Sequence, residues 1–97
     1  MEAPDLRRLE RMARLLPPQT LRFGRVETMF GPLYIAWGYR SRIWYGIWGM
    51  RGVAQTVEFK PDVDEAAVKQ VLVHTAMNFA ADMHVVDLFK QPGHFDA

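Results

Sequence analysis

Thr28 to Met50 reads TMFGPLYIAWGYRSRIWYGIWGM, and it holds all three tryptophans and all three tyrosines of the 97-residue chain. Two apolar runs within it, Leu33–Tyr39 and Arg42–Met50, are separated by a short link at Arg40-Ser41, the pattern of a β-hairpin. Pairing about that link sets Trp37 opposite Trp44, Ile35 opposite Gly46 and Leu33 opposite Trp48 on one face. The other face then carries Tyr34, Ala36, Ile43, Tyr45 and Ile47. An antiparallel sheet with one wet face alternates apolar with polar side chains, and this hairpin does not. A one-residue slip of register still leaves both faces apolar, so both need cover.

Outward from the hairpin, Leu21–Phe30 and Val53–Phe59 read as flanking strands, set off by Gly31-Pro32 and Arg51-Gly52. Short links of this kind predict an antiparallel meander of three or four strands over 21–59. Before it, Leu6, Leu9, Ala13 and Leu16 recur at helical spacing, with Arg7, Arg8, Arg11 and Arg14 elsewhere on the wheel. This predicts an amphipathic helix within 1–18, running from Asp5 to Leu16 and stopped by Pro17 and Pro18. After the sheet, Asp62 and Glu65 form an Asp-x-x-Glu capping pattern. It opens a core helix over 62–81 through Val68, Val71, Leu72, Thr75, Met77 and Phe79. Residues 82–97 form a C-terminal segment in which His84–Lys90 reads as either a short strand or a final helical turn, and Gln91-Pro92-Gly93 begins a tail. The fold class expected is α+β: an N-terminal helix, the meander, and a long helix packed on it, in one domain, since domains commonly run to about 100–150 residues.

Composition narrows the chemistry. There is no cysteine, which excludes disulfides, thiolate ligands and a cysteine nucleophile. No apolar run approaches the roughly 18 residues of a membrane span, and the N-terminus alternates charge with leucine, unlike a secretion signal; a cytoplasmic location is the expectation. Residues 1–51 hold nine arginines against four acids, and residues 52–97 hold three lysines against seven acids. Such a division suits a basic binding face, or two ends that attract each other or a neighbouring copy. His74, His84 and His94, with Asp82, Asp87 and Asp96, are the candidate metal set, but ten-residue spacing puts no two imidazoles on adjacent helical turns. The single serine, Ser41, lacks a nucleophile elbow, and no glycine run leads into a helix as a phosphate loop does. The expectation is a non-enzyme without metal or cofactor.

Two constellations carry functional character. Leu33, Trp37, Trp44 and Trp48 form an aromatic face suited to a partner, either a second copy in a homodimer or a separate protein domain, because aromatics and arginine are enriched at interfaces. Arg40, Arg42, Tyr45 and Arg51 offer the alternative of nucleic-acid binding, with arginines on phosphates and rings on bases. A third reading is a small-ligand pocket between the Met- and Trp-rich sheet and the helices.

Thr28-Met29-Phe30-Gly31-Pro32-Leu33-Tyr34-Ile35-Ala36 resembles the opening hairpin of the N-terminal domain of methylated-DNA:protein-cysteine methyltransferases, with Met29 where that family has proline. Val86–Phe95 is similar to that domain's late helix. The resemblance implies a ribonuclease H-like α+β fold and a support role beside a DNA-binding domain. This chain lacks both the Pro-Cys-His-Arg acceptor motif and any cysteine, so the resemblance implies a relative unable to accept an alkyl group.

Overall fold

The computed structural model describes residues 4–90. It has the expected α+β architecture: α1 (Pro4–Ala13), β1 (Arg22–Thr28), β2 (Gly31–Arg40), β3 (Ile43–Met50), β4 (Val53–Glu58) and α2 (Glu65–Lys90). The strands form one antiparallel sheet in the order β1-β2-β3-β4. The helices pack on opposite faces of it, giving three layers.

The face of β2 and β3 that carries Leu33, Ile35, Trp37, Trp48 and Met50 lies under α2, whose Val68, Leu72, Ala76 and Ala80 form a fully buried ridge. These recur every fourth residue, the row that projects from one side of a helix. The ridge is smallest at Ala76 and Ala80, in the stretch of α2 where Phe79 meets the Trp48 indole. Gly46 leaves room for the ridge, since a Cβ there would stand 2.9 Å from Leu72 Cδ1. The opposite face carries Tyr34, Ala36 and Ile47 under Leu9 and Ala13 of α1. Past α1, the chain crosses Gly38 so closely that a Cβ would lie 2.8 Å from Pro18 Cβ and 3.0 Å from the Thr20 carbonyl oxygen. The two-sided apolar hairpin is thus covered twice by its own chain.

Four expectations need correction. The β2–β3 turn is Ser41-Arg42, not Arg40-Ser41, and the strands pair two residues away from the expected register: Trp37 faces Gly46, Ile35 faces Trp48 and Tyr39 faces Trp44. Both turn residues have positive φ, 54° and 69°, the primed geometry whose twist matches two-residue hairpins; neither is the glycine or asparagine that advertises it. A two-residue shift keeps every side chain on its own face, so face membership was unaffected. Helix α1 stops at Ala13 and closes through tighter turns, Leu15 N–H to the Met12 carbonyl (3.0 Å) and Leu16 N–H to the Ala13 carbonyl (3.1 Å). Helix α2 starts at Glu65, its first bond running from Val68 N–H to the Asp64 carbonyl, so Asp62 is not the cap. It also continues past Ala81 to Lys90; no glycine or proline interrupts 66–90. Gln91-Pro92-Gly93 lies outside the described residues.

Candidate interaction surface

The aromatic face does not stand open. Leu33 and Trp48 have no exposed surface and Trp37 retains 7 %, because α2 fills the space a partner was expected to take. Trp48 packs against Phe79 with ring centroids 5.4 Å apart, and its indole N–H is buried without a hydrogen-bond partner. Leaving such a donor unpaired costs about 1–3 kcal/mol, offset here by the packing of the largest side chain in the core. Of the four residues, only Trp44 keeps appreciable exposure; it stacks obliquely on Tyr39 at 5.0 Å.

Trp37 is held by α2 directly. Its indole N–H donates to the Glu65 carboxylate at 2.6 Å, and Arg22 of β1 donates to the same oxygen at 2.8 Å. The Lys69 ammonium sits 4.8 Å from the Trp37 ring centroid. The bond from Trp37 holds the Glu65 carboxyl below its usual range, with Arg22 and Lys69 acting in the same sense and desolvation opposing. Glu65 also begins the helix, where a negative charge meets the positive end of the dipole. Nearby, the Arg42 guanidinium donates to Asp62, and Asp62 returns its backbone N–H to the Arg42 carbonyl at 3.0 Å. Asp62, with φ of 65°, therefore braces the strained turn. The arginine-rich and acid-rich halves of the chain meet through these two pairs.

The arginine–aromatic set is scattered. Arg40 and Arg42 flank the β2–β3 turn, Arg51 lies in the β3–β4 turn at the other end of β3, about 25–30 Å away along the strand, and Tyr45 lies on the face opposite Trp44. Arg40 donates to the Pro17 carbonyl at 3.0 Å. The four are therefore spread over both ends of β3 and do not form one cluster. His74 is exposed on α2, His84 lies on the same helix, and His94 and Asp96 lie outside the described residues. Among the described residues no three His, Asp or Glu side chains gather as a metal site, and no helix is long and apolar enough to cross a membrane.

What remains uncovered is the rim. Helix α1 packs on β2, β3 and β4, and α2 chiefly on β2 and β3, so β1 is largely bare. Phe23 of β1 is 53 % exposed and lines an open cleft of about 600 Å³ with Ala13, Leu16, Pro18 and Leu21. The cleft lies outside the core, not between the Trp-rich face and its helix. Leu15, between two of the cleft's lining residues, is 84 % exposed. Sequence reasoning missed Phe23 because it sits in a strand of mixed polarity, Arg-Phe-Gly-Arg-Val-Glu-Thr, whose exposure depends on where α1 ends.

Comparison with known proteins returns no matching family model, no matching curated protein and no matching solved structure.

Proposed function

We propose that this chain is a non-catalytic, cytoplasmic interaction or scaffold module that self-associates along the rim of its sheet. The observation that carries the reading is the contrast between faces and edges: both faces are filled by the chain's own helices, whereas β1 and β4 are left as open edges, with Phe23 and Leu15 exposed beside one of them. Edge strands present unpaired backbone groups that a partner can complete, and exposed apolar side chains add area to such a contact. The resemblance of Thr28–Ala36 to a support domain without acceptor chemistry points the same way. Light scattering coupled to size exclusion, at micromolar protein and two salt concentrations, tests it. An assembly larger than 11.2 kDa that persists in high salt is expected; a monomer under all conditions would overturn it.

A further inference from the structure

The two edges of the sheet are not equally defended. Arg22, Arg25 and Glu27 place three charges along β1, the usual deterrent to edge pairing. β4 reads Val-Ala-Gln-Thr-Val-Glu: five uncharged residues, no proline, no lysine, no glycine, with β-branched side chains that favour pairing. Gln55 and Thr56 are exposed, and Val53 and Val57 are half-buried.

The phase of the open hydrogen bonds follows from one contact. Phe59 donates its N–H to the Trp44 carbonyl at 3.0 Å, continuing the β3–β4 register in which Trp48 faces Gln55 and Met50 faces Val53. Hydrogen-bonded pairs alternate along an antiparallel ladder, so the odd-numbered residues of β4 bond inward to β3. Ala54, Thr56 and Glu58 direct their N–H and C=O groups outward. Among the described residues, no hydrogen bond joins these groups to another segment.

We infer that the β4 edge is the seam of a symmetric homodimer, in which two copies join their sheets into one of eight antiparallel strands; this rests on the self-association reading above. The register that uses all three outward residues centres on Thr56. Thr56 then faces its mate, Ala54 faces Glu58, Gln55 faces Val57 and Val53 faces Phe59. No like charges oppose each other, a Thr–Thr pair lies on the dyad, and an aromatic–valine pair closes each end, combinations that stabilise cross-strand contacts. This register also keeps the α1 faces of both copies on one side of the joint sheet and the α2 faces on the other. The helices fit. With strands about 4.8 Å apart, two α1 helices centred over β3 stand about 14 Å apart, beyond the about 10–12 Å diameter of a helix. The α2 helices, which lie over β2 and β3 more than over β4, stand farther apart.

The test is Thr56→Lys, which sets two lysines opposite each other on the dyad while altering only an exposed side chain of the monomer. Gln19→Lys adds the same charge beside the β1 edge as a control. By sedimentation equilibrium, Thr56→Lys should remain folded by circular dichroism and weaken dimerisation by more than about tenfold, while Gln19→Lys leaves it unchanged. In hydrogen exchange, the amides of Ala54 and Thr56 should be protected in the native chain at dimer concentrations and exchange fast in Thr56→Lys. A dimer that Thr56→Lys leaves intact overturns the β4 seam while self-association stands. A native chain that is monomeric throughout overturns both.

Discussion

Under α2 the sheet is built from large side chains, Leu33, Ile35, Trp37, Trp48 and Met50, and the helix answers with Ala76 and Ala80. Under α1 the sheet offers the smaller Ala36 beside Ile47 and Tyr34, and there the helix supplies Leu9 as its fully buried knob. The two faces meet the same requirement, a densely packed interior, by dividing bulk between sheet and helix in opposite ways. The division also bears on how much buried helix each face carries, Val68 to Ala80 on α2 against Leu9 to Ala13 on α1. A broad floor with two tryptophans lies under the longer stretch, whereas a floor narrowed by Ala36, and by Gly38 at the end of the strand, is closed by ten helical residues and a proline-rich crossing.

The contrast breaks most visibly at Trp48. Trp48→Ala should destabilise the fold by about 3–5 kcal/mol, measured by urea denaturation, with Trp48→Phe recovering much of the loss because it keeps a ring against Phe79 and removes the unpartnered N–H. If alanine costs less than about 1 kcal/mol, α2 is not the main roof. Leu9→Ala should cost less, near the lower end of the about 2–5 kcal/mol range for leucine truncation. Its effect should fall unevenly: amide exchange quickens in α1 before it quickens in β3, since α1 is short and helices of about a dozen residues depend on packing. Uniform quickening in both would mean that the two layers form one cooperative unit.

The smallest expected effect is electrostatic and belongs to the α2 face alone. Glu65 has a lowered pKa, caused first by the Trp37 indole N–H. Its contribution is therefore present above the usual carboxylate range and is lost as pH falls through the lower, folded-state value. Glu65→Gln should lower the melting temperature slightly at neutral pH, and the gap between the two proteins should close at acid pH. A gap that widens on acidification would mean that the carboxylate is not the form the fold prefers. Because the group is partly exposed, salt should shrink the gap as well.

Much of the architecture was legible. The alternation of Leu33, Ile35 and Trp37 against Tyr34 and Ala36 assigned each to its face, because side chains in a strand project with a period of two. The same period concealed the register: a shift of two residues changes every partner and no face, so Trp37 opposite Trp44 and Trp37 opposite Gly46 looked alike. Leu72 supplies the missing information, since its side chain requires the glycine at 46, and it lies 26 residues further along the chain. Asp62 was misread for a related reason. Its spacing to Glu65 fits a capping box, but Arg42 draws its carboxylate to the hairpin turn instead.

Local pattern alone requires a hairpin apolar on both faces at the centre of this protein, flanked by an arginine-rich amphipathic helix and a longer valine–alanine helix. Those are local and periodic properties, set by side-chain direction and chain order. That these two helices, one to each face, are themselves the cover follows only from the packed fold, in which Trp37 and Trp48 become core and the edges of β1 and β4 are what the helices leave open. Whether an apolar face is buried depends on which distant segment reaches it and how much of it that segment spans, and no local pattern encodes that distance.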